Sequence, residues 1–93
     1  MRERDVEQAL ARAVQAHGGL CWKFTSPALA GVPDRIVILP HGHVGFIEVK
    51  APGQHPRPIQ QRRIAQLRSR HIPVIIIDHP NQIQEAIHAI QTA

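Results

Sequence analysis

Three consecutive stretches decide how this chain is read: Val32-Pro33-Asp34-Arg35-Ile36-Val37-Ile38-Leu39, Pro40-His41-Gly42-His43 and Val44-Gly45-Phe46-Ile47-Glu48-Val49-Lys50. Two β-rich runs separated by a Pro/Gly turn predict an antiparallel hairpin. With the turn centred near residues 41 and 42, Asp34 falls opposite Glu48 or its neighbour. Directly opposed residues have Cβ atoms roughly 4.5–5.5 Å apart. Side chains alternate along a strand, so Glu48 and Lys50 share one face and Val49 takes the other. Two facing carboxylates repel unless a cation lies between them, and Mg²⁺ is commonly held by one or two carboxylates plus phosphate oxygens. The hairpin is therefore expected to build a site for Mg²⁺ or Mn²⁺, with a lysine beside it.

Outward from the hairpin, the pattern alternates between helical and strand periods. Residues 3–17 carry Val6, Ala9, Leu10, Ala13 and Val14 at helical spacing, and Gly18-Gly19 supplies a stop. Leu20 to Phe24 reads as a short strand, and Thr25 to Pro33 as a loop. After a second loop from Ala51 to Pro56, a helix runs from about Pro58, a favourable first-turn residue, to Arg70. Ile72 to Ile77 is almost continuously apolar, as expected of a strand buried on both faces. Pro80 and Asn81 open a last helix, with Asn81 as candidate cap, Gln84 three residues on, and Ile83, Ala86, Ile87 and Ile90 as its apolar stripe. That stripe could face the sheet or a second copy. The order is αβββαβα, an α/β fold with a mixed central sheet flanked by helices.

Ninety-three residues, 43% of them hydrophobic, suit one small globular domain spanning residues 1–93. The single cysteine, Cys21, excludes an internal disulfide and favours a reducing compartment. No signal peptide, lipidation motif or membrane-length apolar run is present, so a cytoplasmic protein with no membrane partner is expected. The net charge of +4 and a pI near 10.7 favour a polyanionic partner. From Val49 to Ile77 the chain holds Lys50, Arg57, Arg62, Arg63, Arg68 and Arg70 and no acidic residue. Beside a metal site, such a run points to phosphate contacts rather than a merely solvated helix face. The aromatic residues are few (Trp22, Phe24, Phe46), which argues against a base-stacking platform and for readout of backbone and shape. The seven histidines lack the spacing of a four-ligand zinc site, and His41 and His43 lie in the turn, away from Asp34 and Glu48.

Gly31-Val32-Pro33-Asp34-Arg35, then Phe46-Ile47-Glu48-Val49-Lys50-Ala51-Pro52-Gly53, then Gln60 opening a helix resembles the VRR-NUC family of PD-(D/E)xK nucleases. Gly18-Gly19 and Lys23-Phe24 also match, so the resemblance covers roughly residues 3 to 79. It implies a restriction-endonuclease-like αβββαβ core plus the C-terminal helix. Asp34 and Glu48 would bind the metal, joined by the backbone carbonyl of Val49 and an acidic residue of the first helix. Glu7 is favoured for that last role over Glu3, one turn away. Lys50 would stabilise charge developing on the scissile phosphate. Gln60 shares a helical face with Ile64 and Leu67 and so should point inward; in the resembled family it lies beside the lysine. Lys23 matches a recurrent family lysine, and with Arg35, Arg57, Arg62, Arg63 and Arg68 it completes the candidate DNA contacts.

The resemblance further implies an endonuclease acting on branched DNA such as four-way junctions, leaving 5′-phosphate ends. Stand-alone members resemble dimeric junction resolvases of phage or bacterial type. A two-fold homodimer supplies the two cuts that a junction needs. Two alternatives are a non-catalytic DNA-binding module on the same fold and an RNA-processing nuclease subunit. Retention of Asp34, Glu48 and Lys50 together argues against the first.

Overall fold

A computed structural model of the chain describes residues 1–93. Helix α1 spans Glu3–Ala16, strand β1 Leu20–Lys23, β2 Arg35–Leu39, β3 His43–Val49, helix α2 Pro58–Ser69, β4 Val74–Ile77 and α3 Ile83–Gln91. The strands form one sheet in the order β1-β2-β3-β4, antiparallel except for the parallel β3–β4 pair. The expected αβββαβα order and mixed sheet are both present. The parallel β3–β4 pair needs a crossover, and α2 supplies it.

The turn between β2 and β3 is a tight 3₁₀ turn over Pro40–Gly42, with His41 and Gly42 both at positive φ (69° and 77°). Leu39 pairs with His43, which centres the turn on His41 and carries the register back through Arg35 opposite Ile47. One step further, Asp34 stands opposite Glu48.

Alternation on the strands sorts side chains into two layers. Val37, Leu39, Ile47, Val49 and Ile77 face one way and pack against Val6 and Leu10 of α1 and Ile83, Ala86, Ile87 and Ile90 of α3. The isoleucine stripe of α3 is therefore spent in the core, not offered to a second copy. Gly45 belongs to the same face, and α3 crosses directly above it: a Cβ there would sit 2.7 Å from Ile90 Cγ1. The opposite face carries Glu48 and receives α2, of which only Gln60 and Ile64 are buried. Because α2 covers only part of that face, Leu20, Trp22 and Val44 remain exposed, Trp22 at 55%.

Three details differ from the sequence reading. The segment Ile72 to Ile77 is not buried on both faces: β4 begins at Val74, forms an edge of the sheet, and leaves Ile75 and Ile76 half-buried. Asn81 does not cap α3. Residues Pro80–Gln82 form a 3₁₀ turn in which the Asn81 N–H donates to His79 Nδ1, while Gln82 Oε1 accepts from the N–H groups of Asp78 and His79. Gln84 instead bonds the ring of His17 across the domain at 3.1 Å. Phe24 lies just past β1, though its N–H still donates to the Asp34 carbonyl at 2.7 Å.

Candidate active site

Glu48 is 2% exposed, in a strand otherwise apolar around it. A buried carboxylate is costly unless its oxygens are satisfied. One oxygen, Oε2, is satisfied twice, by Gln60 Nε2 at 2.7 Å and by Lys50 Nζ at 3.1 Å. The other, Oε1, is buried with no partner. Gln60 is held in place from its other end, where Oε1 accepts the Arg57 N–H at 2.8 Å. That N–H can only donate, so the amide oxygen must face it and the amide NH₂ must face Glu48. Helix α2 thus fixes the rotamer of Glu48 through a single buried amide. The inward-pointing Gln60 expected from helical spacing is present, beside the Glu48–Lys50 pair.

Asp34, just before β2, accepts the Val49 N–H with both carboxylate oxygens, at 3.1 and 3.3 Å. Its pKa is pushed from 3.8 up to about 7. Burial contributes most, followed by the close approach and negative charge of the Glu48 carboxylate, while the Val49 N–H pulls the other way. The two carboxylates therefore compete for space that only a proton or a cation can neutralise. Asp34, Glu48 and Lys50 are brought together as the hairpin register predicts.

The donor chemistry suits a hard divalent ion. The unpartnered Glu48 Oε1 and the Asp34 carboxylate are all-oxygen ligands, and Lys50 sits on the far oxygen of Glu48. No third His, Cys, Asp or Glu joins them in a ligand trio. The first helix places its two acids differently from the sequence preference. Glu7 turns to Arg35, pairing with Nη2 at 3.4 Å. Glu3 has its pKa raised, first by burial and then by the charge of Asp34, with Lys50 acting in the opposite sense. Glu3, exposed on the same helix, feels the charge of Asp34.

The predicted DNA contacts divide in two. Arg57 and Arg62 are exposed, as is Lys23 on the edge strand β1. Three arginines have structural partners. Arg35 lies on the α1 side of the sheet, paired with Glu7. Arg68 gives Nε and Nη2 to the Val74 carbonyl, at 3.1 and 2.7 Å, tying α2 to β4. Arg63 Nε donates to the Ala30 carbonyl at 3.0 Å, clamping the 25–33 loop. Charge counting along the chain cannot distinguish these cases, since each arginine is recruited by a backbone carbonyl or acid on another element.

A core of this topology, whose central hairpin opposes two carboxylates next to a lysine, has the arrangement expected from the resemblance to PD-(D/E)xK nucleases. No family model matches the chain. It is 45% identical over 78 residues to "Putative nuclease p44" of Acyrthosiphon pisum secondary endosymbiont phage 1, with 84% of each protein covered. A solved VRR_NUC domain superposes with a TM-score of 0.86 at 31% identity, over 92% of this chain and 94% of that one. The chain belongs to the VRR-NUC family of nucleases. No helix is long and apolar enough to cross a membrane.

The Asp34 shift has a consequence for stability. Between pH 4 and 7 the folded, metal-free protein keeps a proton on Asp34 that the unfolded chain has lost, so stability falls as pH rises through this window. Asp34→Asn removes the effect while keeping an acceptor for Val49. Thermal melts in EDTA should show the variant gaining on wild type from pH 5 to pH 8 and overtaking it at the upper end. A constant difference between the two across that range would contradict the raised pKa.

Proposed function

We propose that this protein is a Mg²⁺- or Mn²⁺-dependent endonuclease that hydrolyses DNA phosphodiesters, with branched DNA such as four-way junctions as its substrate. The observation that carries this reading is the buried Glu48 carboxylate, with Oε1 unpartnered, set opposite Asp34. A DNA-binding module would gain nothing from two carboxylates whose burial costs stability and whose charge repels phosphate. Asp34, Glu48 and the Val49 carbonyl would hold the ion, with an acid of α1, Glu7 or Glu3, contributing through water. When bound, the ion lowers the pKa of an attacking water and polarises the phosphoryl oxygen. Lys50 supplies a positive charge for the oxygens that become more negative in the transition state and orients the water. Gln60 is a positioning residue: it fixes Glu48 and touches no reacting atom. Arg57, Arg62 and Lys23 lie free to meet the phosphate backbone.

The test is cleavage of labelled four-way, flap, nicked and linear DNA, and of an RNA version of the junction, with Mg²⁺, Mn²⁺ or EDTA. Branched DNA should be cut in the presence of either ion and spared in EDTA. Asp34→Ala and Glu48→Ala should abolish cutting. Lys50→Ala should lower kcat by about 10²–10³ with little change in affinity. Gln60→Ala should cost about 10–100-fold, as is usual for groups that orient metal ligands. Undiminished cleavage in EDTA would overturn metal dependence, and preferential cutting of the RNA junction would move the assignment to RNA processing.

Paired cuts on a four-way junction call for two active sites related by a two-fold axis. With α3 committed to the core, the exposed apolar side chains Leu20, Trp22 and Val44 form the surface on which two copies would meet. Light scattering at micromolar concentration should give the mass of a dimer for wild type and of a monomer for Trp22→Glu. A wild-type monomer that still makes paired cuts would rule out this assembly.

A further inference from the structure

Two of the three aromatic residues, too few in the sequence to suggest base stacking, are brought together by the fold. A cavity of about 440 Å³ opens between the 25–33 loop and α2, within the range of about 300–1,000 Å³ typical of small-molecule sites. Phe24 and Phe46 line it, their rings edge to face with centroids 5.3 Å apart. Leu29 from the loop and Leu67 from α2 close its sides, and Arg63 and Arg70 stand on its rim. The cavity lies on the same sheet face as Glu48, and two of its lining residues are neighbours of the carboxylate pair. Phe24 is bonded through its N–H to the Asp34 carbonyl, and Phe46 precedes Glu48 by two residues on the same strand face.

We propose that this cavity receives an unpaired nucleobase of the DNA strand held at the active site. The inference rests on the DNA-nuclease reading and deepens it, because it names what in a branched substrate is recognised. The lining combines two chemistries that a nucleotide also combines: flat apolar surface for a ring and, for the phosphate attached to it, the Arg63 and Arg70 guanidiniums, which keep Nη2 free beyond their bonds to Ala30, Gln66 and Ser69. No carboxylate lines the cavity to neutralise those arginines. A purely apolar segment of another protein would leave their charge unmatched. A base inside a duplex is stacked on both sides and cannot enter without being flipped out, whereas a base at a branch, flap or gap is already free. The cavity would therefore reward substrates that present an unpaired base next to the cut. Stacking of one base on an aromatic side chain changes affinity about ten- to a hundredfold.

The experiment compares three fluorescein-labelled DNAs by anisotropy in EDTA, so that no strand is cut. They are a paired duplex, the duplex with a four-nucleotide single-stranded arm, and the same arm built from abasic residues. The two arms carry identical phosphates, so any difference between them reports the bases alone. Wild type should bind the base-bearing arm at least tenfold more tightly than the abasic arm. Leu29→Trp, which fills the mouth from an exposed loop position, and Phe24→Leu, which removes a ring but keeps apolar volume, should erase that difference. Both variants conserve charge and should bind the paired duplex as wild type does, which also shows that they are folded. Equal wild-type affinity for the two arms, or variants that keep the preference, would overturn the proposal. So would a change in assembly mass for Leu29→Trp, since it would assign the cavity to a second copy. Absence of DNA binding and cleavage altogether would instead defeat the nuclease reading on which the inference rests.

Discussion

The repulsion between two carboxylates is the constraint around which this domain is organised. Asp34 and Glu48 are set opposite one another by the β2–β3 register, and that register is fixed by a turn only three residues long. A slip of one residue would carry Glu48 to the other side of the sheet, among the apolar side chains packed against α1 and α3. The tight turn at His41 and Gly42, some distance from the carboxylates, thus determines whether they meet at all.

Once opposed, the pair must be held, since either side chain could relieve the repulsion by rotating away. Asp34 is tied down by the Val49 N–H, and Glu48 by Gln60 and Lys50 on one oxygen. Helix α2 therefore does more than cross from β3 to β4. It carries the amide that locks Glu48, and through Arg63 and Arg68 it fastens the 25–33 loop and β4 to itself. The division of labour between sheet faces follows: α1 and α3 bury one face as core, while the other keeps a buried polar cluster beside a cavity and an exposed apolar surface.

Much of this is legible in the chain. The Pro/Gly turn and the two β-rich runs place Asp34 against Glu48, and helical spacing turns Gln60 inward, because both are consequences of local periodicity. The unread parts are contacts between distant segments. Sequence favours Glu7 over Glu3 near the metal, and cannot show that Arg35, 28 residues on, pairs with Glu7. Arg63 and Arg68 look like wholly free side chains until carbonyls at Ala30 and Val74 take up part of each guanidinium. Phe24 and Phe46 are ordinary strand aromatics until the loop and α2 enclose them. The continuous apolar run at residues 74–77 suggests a central strand, yet β4 is an edge whose half-buried isoleucines are shielded only in part.

The central claim is that the Asp34–Glu48 pair is a divalent-cation site, and it can be tested without substrate. Titrating the DNA-free protein with Mn²⁺ at pH 8 in a calorimeter measures binding to the pair itself. A saturable binding event in wild type that disappears in Glu48→Gln, with the variant's fold and melting behaviour retained, is the result expected. Wild-type protein that binds no Mn²⁺, or a Glu48→Gln variant that binds it equally well, would contradict the assignment.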